Sequence, residues 1–174
     1  MTEIVNIPSE RVKSLIGKEG STKRVIEKKC NVELTVDSEG VVQINGESAD
    51  VFFAKDVVKA IGRGFRPEKA LHLLKHDYGL YIIPLKEVLG SDKAITRVKG
   101  RVIGEKGKIK SQIETSTDSF LSVYGNTIGI ISRIDSMEYA KEAVAMLIRG
   151  AKHSSVLSYL SRAKREIMQE RLKG

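Results

Sequence analysis

The sequence repeats itself, and the repeat restricts this chain more than any other feature. Ile16-Gly17-Lys18-Glu19-Gly20, continued by Lys23, Ile26 and Glu27, matches Ile103-Gly104-Glu105-Lys106-Gly107, continued by Lys110, Ile113 and Glu114. Every pair lies 87 positions apart, as from Gly17 to Gly104. Further along, Ala54-Lys55-Asp56 and Val58 match Ala140-Lys141-Glu142 and Val144, now 86 apart, and Arg63-Gly64 and Arg149-Gly150 close the two copies. One residue fewer in a loop or hairpin of the second copy accounts for the change. Two matches in the same order mark a duplicated supersecondary unit.

Each copy reads as β-α-α-β-β-α. In the first, Glu3 to Ile7 alternates as a strand and Pro8 ends it. Ser9 stands as N-cap of a short helix through Val12, Leu15 and Ile16, and Gly-x-x-Gly breaks that helix. A second helix runs from Ser21 to Lys29. Val32, Leu34 and Val36 alternate in a strand, Asp37 to Gly40 turns the chain, and Val41 to Ile44 returns it. Ser48 then caps a long helix that carries Phe53, Val57 and Ala60 on one face. In the second copy the strand starts at Tyr78 and runs to Pro84 or on to Val88. Ser91 or Asp92 caps a helix through Ile95, Val98 and Val102, and Lys108 to Thr115 follows the glycine loop. Gly125-Asn126 joins two strands as a hairpin turn, and Met137 to Ile148 closes the copy. Outside the repeat lie Phe65 to His76, with Pro67 at a helix start, and a basic helical tail from Ser154 to Leu172 that buries Val156, Leu160 and Ile167.

The glycine loop carries the chemistry. Two helices joined by Gly-x-x-Gly bring backbone N–H groups to the surface, and glycine lets a phosphate approach them closely. The chain has a formal net charge of +8, which favours polyanions. That charge gathers around the loops. Residues 11–24 hold Arg11, Lys13, Lys18, Lys23 and Arg24 against Glu19; residues 97–110 hold Arg97, Lys99, Arg101, Lys106, Lys108 and Lys110 against Glu105. The expected RNA-binding residues are therefore Gly17, Lys18, Glu19, Gly20, Lys23 and Arg24, and Arg101, Ile103, Gly104, Glu105, Lys106, Gly107, Lys108 and Lys110. An apolar groove for bases is expected near Val12, Ile16, Val25 and Leu34, and near Val102, Ile103, Ile109 and Leu121. A glutamate in each loop opposes phosphate, so grip leans on glycine backbone and flanking lysines.

Other chemistries find little support. Cys30 is the only cysteine, which excludes a disulfide framework and a cysteine zinc site. His72 and His76 have a metal-compatible spacing but no third ligand close by, so they read as ordinary helix histidines. No nucleotide-binding glycine motif, nucleophile elbow or clustered acidic site is present. No catalytic residue, metal or cofactor is expected. No run of apolar residues is long enough for a membrane span, and a cytoplasmic protein that does not engage membrane is expected. Aromatic residues make up only 5%, which disfavours a sheet that stacks bases on aromatic rings.

The order of elements and the loop resemble the type I KH domain, whose loop clamps about four nucleotides of backbone. The implied fold is α+β. It comprises a first KH-like module over 1–64, a helical linker over 65–77, a second module over 78–150 and a basic C-terminal helix over 151–174. Together with Ile61-Gly62-Arg63-Gly64-Phe65 and Pro67-Glu68-Lys69-Ala70, the whole chain resembles the archaeal counterparts of the Partner-of-Nob ribosome-assembly proteins. That resemblance implies non-catalytic binding of single-stranded RNA near the 3′ end of small-subunit ribosomal RNA, alongside a Nob-type endonuclease or other assembly factors. Eukaryotic members lack an intact first loop, whereas Gly17 and Gly20 are kept here. The alternative is a scaffold whose modules dock assembly or translation factors.

Overall fold

The computed structural model describes residues 1–174 and divides into two compact units, Met1–Leu80 and Tyr81–Gly174. In the first, β1 (Thr2–Asn6) is followed by a 3-10 turn and α1 (Val12–Ile16), the glycine loop, and α2 (Ser21–Cys30). Then come β2 (Glu33–Val36), β3 (Val41–Asn45), α3 (Ser48–Gly62), and a short α4 (Pro67–Ala70) that continues as a 3-10 turn. The second copy has β4 (Tyr78–Pro84), α5 (Leu85–Val88), α6 (Asp92–Ile103), α7 (Lys108–Thr117), β5 (Ser119–Tyr124), β6 (Thr127–Arg133), α8 (Ile134–Ile148) and α9 (His153–Lys173). The expected order β-α-α-β-β-α is present twice. No helix is long and apolar enough to cross a membrane.

The sheets run β1-β3-β2 and β4-β6-β5, so the last strand of each copy sits in the middle. Central strands carry the most deeply buried side chains: Val42 and Ile44 in one sheet, Ile128 and Ile130 in the other. Helix faces at 3.6-residue spacing cover them, with Val51, Val58 and Ile61 of α3 and Ala140, Val144 and Leu147 of α8 fully buried. Each such branched side chain contributes about 1.5–3 kcal/mol of burial.

The one-residue offset lies at the hairpin tip. Val36 pairs with Val42 around residues 37–41, while Val123 pairs with Ile128 around residues 124–127. In the longer turn Asp37 Oδ1 accepts the N–H groups of Glu39 and Val41, both at 2.9 Å. In the shorter one Gly125, at φ +53°, turns the chain with Asn126.

Several local expectations are corrected. Neither Ser9 nor Ser48 makes a side-chain cap, whereas Ser91 Oγ accepts the Ala94 N–H at 3.1 Å. The strand from Tyr78 stops at Pro84 because the next residue turns inward. Leu85 is fully buried, and its N–H donates to Asn126 O at the hairpin tip, 2.8 Å away. The tail helix supplies Val156 and Leu160 to the core cluster of the second unit.

The repeat extends to half-buried polar detail. Glu27 Oε2 accepts the Leu34 N–H and Glu114 Oε2 the Leu121 N–H, each at 2.9 Å. The same carboxylates pair one turn back with Lys23 at 3.5 Å and Lys110 at 3.4 Å. Cys30 is buried beside Asp50, and chiefly that burial pushes its thiol up to about 11, so it stays protonated. Glu114→Ala strands the Leu121 N–H and should cost about 1–3 kcal/mol in chemical denaturation. Glu138→Ala, on an exposed i,i+3 pair, should cost less than about 0.5 kcal/mol.

Arg171 of α9 bridges Asp118 at 3.0 Å and Asp135 at 3.1 Å. The Arg171 hydrogen bond holds the Asp135 carboxyl below the usual aspartate range, against an opposing effect of burial. Because the folded-state pKa is depressed, this contribution is complete above the ordinary aspartate range and is lost as pH falls below it. Arg171→Met should therefore lower the melting temperature near neutrality yet show a flatter acid limb below about pH 4.

Candidate nucleic-acid interface

Both glycine loops have the same backbone. Gly17 and Gly104 sit at φ +74°, ψ 177° and φ +73°, ψ 175°. Gly20 and Gly107 are left-handed at φ +76°, ψ 11° and φ +74°, ψ 14°. Between them a residue with a side chain also adopts positive φ: Glu19 at +54° and Lys106 at +53°. The first glycine of each loop is required twice over. Its φ disfavours a side chain, and an added Cβ would stand 2.6 Å from Thr22 Cβ in one copy and 2.5 Å from Ile109 Cγ1 in the other. The second glycine needs only its φ. Around Gly107 nothing lies within 4 Å of a Cβ position.

This geometry exposes donors. Gly20 N–H returns to Gly17 O and Gly107 N–H to Gly104 O, both at 3.2 Å, forming a tight turn. The two middle residues of each loop stand ahead of α2 or α7, whose first N–H groups have no intrahelical acceptor. No side chain of either turn is buried. The loop is a backbone cradle at the start of a ten-residue helix, α2 or α7, with the positive end of its dipole facing outward.

The structure sorts the flanking residues. Lys18, Glu19, Glu105 and Lys106 are exposed in the loops, and Lys108 is exposed at the first turn of α7. Lys23 and Lys110 point along their helices to Glu27 and Glu114. Arg24 bends back to the loop, where Nη1 donates to Glu19 O at 2.9 Å and stands 3.1 Å from a Cβ position on Gly20. Arg101 is turned inward instead. Its guanidinium donates to Leu147 O at 2.6 Å and to Ala151 O.

The expected base groove is redrawn. Leu34, Leu121, Val102 and Ile109 are buried members of the core. Leu34 and Leu121 alternate along their strands but point to the covered face, and Val102 and Ile109 lie on the covered sides of α6 and α7. The accessible apolar side chains beside the loops are Val25, 44% exposed, and Ile103, 36% exposed, with Ile16 and Val12 half-buried. In the first unit a hollow of about 220 Å³ runs from Ser21, Thr22 and Val25 to Pro67 and Leu71. In the second, a separate groove of about 640 Å³ is lined by Tyr81, Val88, Tyr139, Ala145 and Tyr159, away from the loop residues.

Residues 79–165 match the eukaryotic-type KH domain (type I) and residues 2–60 the KH domain. A KH domain-containing protein of Methanocaldococcus jannaschii is 44% identical over 97% of this chain and 77% of its own length. The pre-rRNA-processing protein PNO1 of Chaetomium thermophilum is 34% identical over 60% of this chain, which spans 42% of that protein. Among solved structures, Dim2p of Pyrococcus horikoshii superposes with a TM-score of 0.87 at 42% identity, covering 93% of this chain and 99% of that one. The chain belongs to the archaeal PNO1/Dim2 family of two-KH-domain proteins. A further Pyrococcus horikoshii structure, a complex of a/eIF2alpha, Dim2p and rRNA, aligns with a TM-score of 0.89 at 42% identity over 95% of each chain.

The two KH loops thus share one backbone and differ in what crowns it. KH1 presents Glu19 at the left-handed middle position and covers Gly20 with Arg24. KH2 presents Lys106 there and leaves Gly107 open, because Ser111 stands where KH1 has Arg24. The geometry also predicts unequal tolerance within a loop. Gly107→Ala should cost about 1–2 kcal/mol through its left-handed backbone alone. Gly104→Ala adds overlap with Ile109 and should cost about 2–5 kcal/mol in thermal or urea unfolding.

Proposed function

We propose that this chain is a non-catalytic single-stranded RNA-binding protein of small-subunit ribosome assembly, working in the cytoplasm on the 3′ region of small-subunit ribosomal RNA. The observation that carries this reading is the duplicated left-handed Gly-x-x-Gly cradle, each at the start of a helix and each beside basic side chains. Family membership supports it: one relative is a pre-rRNA-processing protein, and a Dim2p structure holds rRNA. Gly104 to Gly107 is the primary grip, because Lys106 occupies the outward position and Lys99 and Lys108 flank it. Lys18, Arg24 and the glycines of KH1 form the second grip.

The same rRNA complex contains a/eIF2alpha, which favours a protein partner alongside RNA. A Nob-type endonuclease or another assembly factor is the class of partner proposed here, with cleavage supplied by that partner. Scaffolding is then a second role of the same chain, not a rival to RNA binding.

The decisive variant spares the glycines, since their replacement strains the loop. Glu105→Asp combined with Lys106→Asp places two carboxylates at the cradle and should lower affinity for a single-stranded 3′-end rRNA oligomer by tenfold or more, roughly the loss of one charge-assisted contact plus repulsion. Lys18→Asp with Glu19→Asp asks the same of KH1. Melting temperatures should stay close to that of the parent. Undiminished binding by both double variants would remove the loops from the RNA interface, and preference for a matched DNA oligomer would overturn the choice of RNA.

A further inference from the structure

In each unit one arginine ties the end of the closing helix to the helix that enters the loop. Arg11, just before α1, donates from Nε to Ile61 O at 2.8 Å and from Nη2 to Phe65 O at 3.1 Å. Arg101, in the last turn of α6, donates from Nη1 to Leu147 O at 2.6 Å and from Nη2 to Ala151 O. The acceptors are equivalent residues of the repeat: Ile61 and Leu147, like Phe65 and Ala151, are 86 apart. The donors are not equivalent. In the 87-residue frame of the loops, Arg11 aligns with Val98 and Arg101 with Ser14. The same link is built from two different places, so what the units share is the link rather than the position of the arginine.

The link also has a mechanical consequence. Neither loop buries a side chain. The direction in which its N–H groups point is therefore set by the helices on either side. α1 has only five residues, too few to hold a helix by itself. α2 and α7 are anchored by the contacts of Ile26 and Ile113, both fully buried. The entering helix is held by its own buried side chains, Leu15 in α1 and Ile95, Val98 and Val102 in α6, and is tied to the closing helix by the arginine as well. Acceptors at the end of a helix carry the negative end of its dipole, and a planar fork of donors suits two carbonyls at once.

Resting on the RNA-binding reading above, we propose that Arg11 and Arg101 are positioning residues: each fixes the entering helix against the closing helix, and thereby aims the loop at RNA phosphate without touching it. The rival assignment for Arg101, from the charge around its loop, is a direct phosphate contact.

Salt dependence separates the two. Arg101→Met, Arg101→Lys and a Lys106→Gln control, all in the full chain, are titrated with a single-stranded 3′-end rRNA oligomer across a range of salt concentrations. Their melting temperatures are recorded in parallel. Lost aim weakens binding by about tenfold in Arg101→Met, because pre-organisation is lost, and changes the slope of log affinity against log salt by well under the value of about 0.7 for a phosphate contact, since only the screened field of a non-contacting charge is removed. Arg101→Lys, with one donor group on a flexible stem, lies between. Lys106→Gln reduces the slope by about 0.7, the value for one phosphate contact on a single strand. A slope reduced in Arg101→Met as in Lys106→Gln makes Arg101 a contact and overturns the proposal. A lowered melting temperature with undiminished affinity reduces the link to packing and overturns it equally.

A readout without RNA keeps the two readings apart. 15N relaxation at the Gly104 and Gly107 amides should show greater mobility in Arg101→Met than in the parent, and unchanged relaxation ends the proposal. Failure of the parent to bind the oligomer would instead sink the RNA-binding reading. If Arg101→Met does not fold, Arg101→Lys is read by the same criteria, with Arg11→Met and the Gly17 and Gly20 amides as the independent copy.

Discussion

The site depends on one close approach, that of the first loop glycine to the second residue of the following helix. Thr22 backs Gly17 and Ile109 backs Gly104, at distances that leave no room for a Cβ. That contact lets one helix end and the next begin with only four residues between them. It puts the middle of the loop outside both helices, and it forces left-handed backbone at the second glycine. The N–H groups that an anion would meet are exposed because no side chain can fill the corner. A different residue at Gly17 or Gly104 would have to separate the helices, and with them the strands they cover.

Around this corner the duplication is kept in interactions more than in residue identity. Glu27 and Glu114 hold the strand that follows their helix, and Asn31 and Asp118 both end that helix with left-handed backbone. Gly64 and Gly150 end the closing helices at φ +97° and +95°, with Phe65 N–H reaching Ala60 O and Ala151 N–H reaching Met146 O. The next residues, Arg66 and Lys152, share φ/ψ to within a few degrees and start α4 and α9. The repeat therefore continues one helix beyond Arg-Gly. The copies diverge only afterwards: α4 is four residues long, whereas α9 runs for 21 and adds buried side chains to the second core.

Element order was legible in the chain because periodicity switches cleanly between two and 3.6, and because glycines and a proline mark the breaks. The extension of the repeat into α4 and α9 was legible too, in Arg-Gly-Phe-Arg against Arg-Gly-Ala-Lys at the same 86-residue spacing, but dissimilar helix lengths masked it. The base groove was misplaced because alternation tells which residues share a face of a strand, not which face is covered. Leu34 and Leu121 lie on the covered one. The destination of Arg101 could not be read at all, since its acceptors lie 46 and 50 residues away. The lysine pairs were within reach of a sequence argument: Lys23–Glu27 and Lys110–Glu114 have the i,i+4 spacing at which helical side chains meet.

These assignments change what the basic charge around each loop can do. A lysine beside a carboxylate contributes little net field, so Lys23 and Lys110 are poor sources of attraction. Arginines bound to carbonyls keep their full charge. Arg11 and Arg101 still add to the field within a Debye length of about 8–10 Å, but their donors are spent on the protein. Beside the cradle stand Lys18 and Arg24 in one module and Lys106 and Lys108 in the other, and none of the four pairs with a carboxylate of the protein. In KH1 the nearest cation, Arg24, is held over the second glycine by Glu19 O. In KH2 the nearest, Lys106, rises from the loop itself at positive φ, with open space over Gly107. A phosphate can settle into the second cradle without displacing a side chain, whereas in the first it meets a guanidinium already in place. Two loops of one backbone thereby offer an anion unequal access.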